Sequence, residues 1–190
     1  MIFFRLAAFA LLFIGFATIN PVKAQTTQAT ETPTAAANQL PNIELANTDG
    51  QKVNIAQNYA QPGRLTIFSF WATWCAPCKK KLRNIAEVYD DWQTDYGVKL
   101  VAVSTDDARS SARVKPLVDA ERWTYEVLLD VNEDFKRAIN AQSVPHTILV
   151  NENGKIIFEH SGYVEGDEDH LEEAIKAYHE TANPDKATEK

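Results

Sequence analysis

The sequence is poor in the residues that build metal sites and disulfide scaffolds. Its 190 residues contain two cysteines and one methionine, which is Met1. Two cysteines cannot form a disulfide-rich scaffold, nor a zinc site made of four thiolates. The four histidines do not follow a zinc-finger spacing, and a copper site usually recruits methionine or histidine near its cysteines. We therefore expect no resident metal ion.

Positive charge and long apolar runs are also scarce. The chain has 19 basic and 26 acidic residues, which gives a net charge of −7. Binding to a phosphate backbone relies on lysine and arginine displacing counterions, so we expect no nucleic-acid partner. The N-terminal apolar run, residues 6–19, is shorter than the roughly 20 residues that a helix needs to span a bilayer.

The N-terminus has the pattern of an export signal. A weakly charged start with Arg5 precedes the apolar run, and a small residue, Ala24, ends the segment. Residues 1–24 therefore predict a secretory signal peptide, cleaved before Gln25. The alternative is an uncleaved membrane anchor formed by residues 6–19. In either case, we expect the rest of the protein to face the periplasm or another exported compartment.

Polar segments enclose one region in which strands and helices alternate. Residues 25–39 are rich in threonine, alanine and glutamine and predict a flexible linker, and residues 183–190 predict a polar tail. Residues 40–182 are long enough for one domain with a sizeable core, and we expect a monomer. Their apolar patterns predict strands at 65–71, 98–104, 125–129, 146–150 and 155–160, and helices after Cys75 and at 106–121, 133–139 and 171–178.

This order of elements predicts an α/β fold with a central mixed sheet flanked by helices. Asp49-Gly50 and Asn153-Gly154 are turn pairs that favour hairpins, one at the N-terminal end of the domain and one near its C-terminal end. Apolar residues recur at steps of three and four after Cys75, which predicts a long amphipathic helix there.

A pair of cysteines stands where the strand at 65–71 gives way to this helix. Cys75 and Cys78 are separated by Ala76 and Pro77. A thiol at a helix N-terminus faces unpaired N–H groups and the positive end of the helix dipole, which favour its thiolate. The spacing lets one sulfur attack a mixed disulfide formed on the other, and Pro77 stiffens the turn. A structural disulfide over so short a loop adds little stability, so the pair predicts a redox centre, with Cys75 exposed and Cys78 more buried.

Two motifs give a resemblance to a known family. Residues 70–80, FWATWCAPCKK, resemble the active-site stretch of the thioredoxin superfamily, and more specifically that of the exported TlpA/ResA-like thiol-disulfide oxidoreductases. Residues 144–147, VPHT, are similar to the second landmark of that family, a proline in cis that faces the cysteine pair. The resemblance covers residues 40–180. It implies a thioredoxin-like fold with an extra helix-strand insertion near residues 106–130.

The resemblance also implies roles for individual residues. Cys75 would be the attacking thiol and Cys78 the resolving thiol, so that their disulfide is the only redox group and no other cofactor is needed. Pro145 would hold the substrate loop, and the backbone of Val144 would pair with the target chain as a strand does. Trp74 would line the rim of the binding surface. The partners would be oxidised protein thiols and a membrane thiol-electron donor that recharges the enzyme.

This chain departs from the family where a proton acceptor is expected. The family commonly has an acidic residue shortly after the cysteine pair, where this chain has Lys81 and Arg83. Thioredoxins keep a buried acid six residues before the first cysteine, and here that position is Ser69. His146 would titrate near neutral pH and is one candidate, although a partly exposed histidine without a catalytic role is the simpler interpretation.

The basic run after the cysteines, Lys79 to Lys81 with Arg83, has two interpretations. The first is a solvated helix face, which we favour. The second is a group of cations that lowers the pKa of the Cys75 thiol or attracts an acidic partner.

The direction of electron flow is a separate question. Cations and a helix end favour the thiolate and hence oxidising behaviour, whereas the Ala76-Pro77 dipeptide and the family resemblance favour reduction. We expect a reductase of protein disulfides, with cytochrome c maturation as one setting. The alternatives are a disulfide-forming oxidant and a Cu(I)-delivery module. A thiol peroxidase is disfavoured because no Pro-x-x-x-Thr-x-x-Cys pattern surrounds Cys75.

Overall fold

A seven-stranded mixed sheet organises residues 38–182, which are the residues that the computed structural model describes. Its strand order is β2-β1-β5-β4-β3-β6-β7. Strands β3, β4 and β5 run parallel, and every other neighbouring pair is antiparallel. The strands are β1 (Glu44–Asn47), β2 (Lys52–Asn54), β3 (Thr66–Trp71), β4 (Lys99–Ser104), β5 (Glu126–Leu129), β6 (His146–Val150) and β7 (Ile156–Ser161).

Within residues 38–182, five α-helices cover the two faces of this sheet. They are α1 (Ile55–Tyr59), α2 (Ala76–Tyr96), α3 (Val114–Glu121), α4 (Asp134–Ala138) and α5 (Asp167–Ala182). The longest, α2, ends at Gly97, which adopts a left-handed conformation with φ 64°. The helix α3 and the strand β5 form the predicted insertion. The fold is the predicted one, an α/β sheet flanked by helices with an N-terminal hairpin.

Side chains from the sheet alternate between two apolar cores. On β3, Ile67 and Trp71 face the core that contains α2 and α5, while Phe68 and Phe70 face the core that contains α1 and α4. Because both faces of β3 are covered, every residue in it is buried. This explains why the strand is apolar at nearly every position rather than at every second one.

The helix predicted at 106–121 is too long at its N-terminal end. Residues 106 and 107 have no regular structure, residues 108–110 form a turn, a short 3-10 helix follows at Ser111–Arg113, and α3 begins at Val114. The Asp107 carboxylate accepts hydrogen bonds from the Ser110 amide at 2.9 Å and the Ser110 hydroxyl at 2.7 Å, which favours the turn over a helix. Pro116 lies in the first turn of α3, where its missing N–H has no intrahelical partner to lose. The short helix α1 was not predicted.

Residues 38 and 39, which precede the predicted domain boundary at 40, pair with residues around the start of β7. Gln39 forms an isolated bridge with Lys155, and the Asn38 carbonyl accepts a hydrogen bond from the Ile156 amide at 2.9 Å. The predicted signal peptide, most of the predicted linker and the predicted tail lie outside the described residues. Within residues 38–182, no helix is long and apolar enough to cross a membrane.

Candidate active site

The two cysteines stand at the junction between β3 and α2. Cys75 is the N-cap of α2, and the backbone N–H of Cys78 donates to the Cys75 sulfur at 3.3 Å. The two residues form a disulfide, with their Cα atoms 5.3 Å apart. Pro77 lies in the first turn of the helix, where the missing N–H is not needed. Sequence and structure therefore agree that the helix N-terminus faces the first sulfur.

The prediction that Cys75 is exposed is wrong for this disulfide form. Cys78 is fully buried, and Cys75 is only 4% exposed. Both belong to the core on the α2 side of the sheet, and Val144 packs against the same core. Cys75 is therefore the more accessible of the two by a small margin.

The loop before β6 lies at the same end of the strands as the cysteines. The Val144–Pro145 peptide bond is cis. Phe70 pairs with His146 across the antiparallel strands β3 and β6, so Pro145 lies opposite the end of β3. The Pro145 carbonyl accepts a hydrogen bond from the Gly162 amide at 2.8 Å, which ties this loop to the segment after β7.

Two tryptophans near the cysteines have different environments. Trp71 is fully buried and packs edge-on against Trp123, with ring centroids 5.1 Å apart. Trp74 is 68% exposed, directly before Cys75. A large apolar side chain is thus open to solvent beside the disulfide.

The predicted solvated helix face holds for part of the basic run, since Lys80 and Arg83 are exposed whereas Lys81 is buried. Lys80 pairs with Glu165 at 2.7 Å, and Lys79 Nζ donates to the Thr73 carbonyl at 3.0 Å. Arg83 makes two hydrogen bonds to the Glu121 carboxylate. These cations bind groups on other elements, which sequence spacing alone cannot indicate.

Lys81 departs furthest from the prediction because it is buried, with 4% of its surface exposed. Its Nζ donates to the hydroxyl of Thr147 on β6. Burial lowers the pKa of Lys81 to about 7, although the nearby carboxylates of Asp167 and Glu168 act to raise it. A lysine that loses its proton near neutral pH thus lies one helical turn after Cys78.

His146 is also buried, at 1% exposure, which corrects the prediction of a partly exposed side chain. Its Nδ1 lies 2.9 Å from the Ser161 hydroxyl, and its Nε2 lies 3.4 Å from a Glu159 carboxylate oxygen. Burial lowers the pKa of His146 from its ordinary value. The side chain packs near Phe70 in the core on the α4 side, whereas Thr147 and Lys81 lie on the α2 side of β6.

Ser69 stands in the middle of β3, where thioredoxins have a buried acid. It is fully buried, and its hydroxyl has no hydrogen-bond partner among residues 38–182. In the same part of the chain, no group of three or more histidine, cysteine, aspartate or glutamate side chains could hold a metal ion.

Comparison with known proteins identifies the family. The profile of the AhpC/TSA family matches residues 36–159, more than half of the chain. This chain belongs to the AhpC/TSA family. Sporulation thiol-disulfide oxidoreductase A of Bacillus subtilis is 30% identical to this AhpC/TSA-family chain over 119 residues, which cover 62% of the chain and 69% of that protein. The thiol-disulfide oxidoreductase ResA of the same organism is 29% identical over 117 residues, and the match spans 62% of each protein.

Solved structures agree with this assignment. A thioredoxin-like protein from Porphyromonas gingivalis is 45% identical, with a TM-score of 0.64 over 73% of this chain and 90% of that one. StoA from Bacillus subtilis is 27% identical, with a TM-score of 0.56 over 70% of this chain and 98% of that one. The predicted resemblance to TlpA/ResA-like proteins of the thioredoxin superfamily is confirmed. The family and the cysteine pair together make this chain a thiol-disulfide oxidoreductase.

One residue that touches the segment before Cys75 was not found by sequence reasoning. Asp106 is fully buried two residues after the end of β4 and bonds to Thr73. Its position after a predicted strand could have indicated a functional residue, because polar residues that follow parallel strands lie close together at the carboxyl ends of those strands. Because the sequence predicts a helix from residue 106, it places Asp106 in that helix and not next to the cysteines.

Proposed function

We propose that this chain reduces disulfides in exported proteins by dithiol-disulfide exchange, with Cys75 as the attacking thiol and Cys78 as the resolving thiol. The Ala76-Pro77 dipeptide and the resemblance to the TlpA/ResA-like family support the reducing direction. The observation that carries the exchange reaction itself is the place of Cys75 at the N-cap of α2, where the Cys78 amide donates to its sulfur. Such donors stabilise a thiolate on Cys75 more than a thiolate elsewhere in the chain.

The reaction begins with both cysteines reduced. The Cys75 thiolate attacks one sulfur of the target disulfide, which forms a mixed disulfide and releases the first target thiolate. Cys78 then loses its proton and attacks the Cys75 sulfur, which breaks the mixed disulfide and releases the second target thiolate. Two electrons have passed to the target, both target thiolates take up protons, and the chain is left with its Cys75–Cys78 disulfide.

Substrate binding is assigned to three residues around this pair. An extended target segment would pair with the backbone of Val144 next to Pro145, in the manner of an added strand. The exposed side chain of Trp74 would cover the apolar part of that segment. This arrangement suits a protein substrate with an accessible disulfide.

The compartment follows from the leader pattern of residues 1–24, which supports export to the periplasm or an equivalent space. A reductant there is oxidised at each turnover, so it needs a supply of electrons. A membrane protein that presents a reduced thiol pair would provide them. Reduction of oxidised cytochrome c precursors is one setting for such an enzyme.

The equilibrium reduction potential of the Cys75–Cys78 couple tests the direction, titrated against dithiothreitol and glutathione. We expect a value of roughly −270 mV, as for thioredoxin, and insulin reduction that stops when Cys75 is replaced by serine. A value of roughly −120 mV would make the protein a disulfide-forming oxidant instead. Tight stoichiometric Cu(I) binding in an anaerobic titration, without disulfide exchange, would favour metal delivery.

A further inference from the structure

A buried carboxylate holds the segment that leads into Cys75. Asp106 is fully buried, two residues after β4 ends at Ser104. Its Oδ2 accepts hydrogen bonds from the Thr73 amide at 2.8 Å and the Ser104 hydroxyl at 2.9 Å. Its Oδ1 accepts a hydrogen bond from the Thr73 hydroxyl at 2.6 Å. Both oxygens of one carboxylate thus bind a residue that lies two positions before Cys75.

Thr73 is fixed on its other side as well. Lys79 Nζ, in the first turns of α2, donates to the Thr73 carbonyl at 3.0 Å. The neighbouring carbonyls are also bonded, since Trp71 accepts from the Thr105 amide at 2.8 Å and Ala72 from the Cys75 amide at 3.0 Å. The backbone between β3 and α2 is therefore held at successive residues.

We propose that Asp106 is a positioning residue, which acts through Thr73 to keep Cys75 at the N-cap of α2. Hydrogen bonds to an ionised acceptor are stronger than neutral ones, and a buried carboxylate is retained only when such bonds compensate for its lost hydration. The Asp106 carboxylate accepts three such hydrogen bonds. Two come from the amide and hydroxyl of Thr73, and the third comes from the hydroxyl of Ser104.

Positioning has a measurable consequence for the Cys75 thiol. Helix N–H groups stabilise a thiolate only within the first turn, so the sulfur must stay close to them. Loosening Thr73 would let Cys75 move away, and the pKa of its thiol would rise. A purely electrostatic role for Asp106 gives the opposite sign, because removing a negative charge near a thiolate lowers the thiol pKa.

This inference shares one assumption with the proposed function, namely that Cys75 is the reactive thiol. Alkylation of the reduced protein by iodoacetamide, followed against pH, reports the Cys75 pKa without any disulfide substrate. Its outcome is therefore independent of whether the protein reduces or forms disulfides. The variants are Thr73→Val, which loses the hydroxyl and keeps the charge of Asp106, Thr73→Ser, which keeps the hydroxyl, and Asp106→Asn.

Asp130 provides the matched control. It is also fully buried and follows the end of β5, and its carboxylate accepts from the amides of Phe135 at 3.2 Å and Lys136 at 2.9 Å. Asp130→Asn thus weakens a comparable buried carboxylate that holds α4 instead of the active-site segment. Thermal unfolding of each variant measures the structural loss separately.

We expect Thr73→Val and Asp106→Asn to raise the Cys75 pKa by at least about half a unit, which slows alkylation about threefold at a pH well below that pKa. Thr73→Ser and Asp130→Asn should keep the wild-type pKa, although Asp130→Asn lowers the melting temperature. The proposal is overturned if Thr73→Val leaves the pKa unchanged, if Asp106→Asn lowers it, or if Asp130→Asn raises it equally. If Asp106→Asn does not fold, the two Thr73 variants decide the question.

Discussion

At the scale of single residues, the burial of Lys81 is the most unusual feature near the cysteines. Lys81 lines a small cavity together with Thr147, His160, Asp167 and Glu168. Burial disfavours the charged form, so the pKa of Lys81 falls to about 7 even with two carboxylates nearby. In the unfolded chain, the same amine keeps its ordinary pKa of 10.5.

This difference predicts how stability depends on pH. Above pH 7 the unfolded state binds more protons at Lys81 than the folded state does, so the free energy of unfolding should rise from pH 7 to 9. The slope from one such group is at most about 1.4 kcal/mol per pH unit. Urea denaturation at pH 7, 8 and 9 measures it. Lys81→Met should remove this slope, and Lys80→Met, at an exposed neighbouring lysine, should keep it. A wild-type stability that does not change over this range would contradict the prediction.

Trp74 gives a second prediction at this scale. Since its side chain is 68% exposed, Trp74→Ala should leave the melting temperature unchanged. Interface hot spots are enriched in tryptophan, and truncating such a residue costs at least about 1 kcal/mol, so KM for insulin should rise at least about fivefold. The reaction with a small aromatic disulfide, which needs no docking surface, should change less than about twofold. Equal losses with both substrates would assign Trp74 to the chemistry of the cysteines instead.

At the scale of elements, the active site forms where one strand, one helix and one loop come together. The end of β3, the start of α2 and the loop before β6 come together because β3 and β6 are antiparallel neighbours with Phe70 opposite His146. The length of α2 matters here, since 21 residues of helix pack its apolar face along the sheet. The first turn, which holds Cys78, is thereby fixed in place.

The other end of α2 offers a test of how the helix is terminated. Gly97 has φ 64°, and a Cβ atom added to it would have no neighbouring atom within 4 Å, so a side chain there meets only backbone strain. Gly97→Ala should therefore lower the free energy of unfolding by about 1–2 kcal/mol. Gly97→Asn should cost less, because asparagine tolerates the left-handed region better. Equal losses in the two variants, by chemical denaturation, would show that the left-handed backbone does not set the cost.

At the scale of the whole molecule, we predict a monomer from the surface of residues 38–182. Among the described residues, the exposed large hydrophobic side chains are Trp74 and Val164. Stable self-association usually requires a larger contiguous apolar patch. We expect sedimentation equilibrium to give one chain per particle in both the reduced and the oxidised protein. A dimer that dissociates on Trp74→Ala would place the partner interface at the active site.

Much of this molecule could be predicted from local sequence. The α/β fold and the place of Cys75 and Cys78 were indicated by patterns that involve only residues close together in sequence. These patterns are the turn pairs, the apolar periodicity and the cysteine pair before an amphipathic helix. The helix predicted from residue 106 failed because a side chain, that of Asp107, bonded to the backbone and favoured a turn. The short helix α1 has too few turns to give a periodic pattern.

The sequence by itself determined which groups react, because the two cysteines are adjacent to a predicted helix start and a helix N-terminus favours a thiolate. Only the tertiary structure decided the environment of those groups. Lys81 is buried because it meets Thr147, which is 66 residues away, and Thr73 is held by Asp106, which is 33 residues away. Burial and hydrogen bonding depend on elements that are distant along the chain, and a local sequence pattern does not indicate which of these elements pack together.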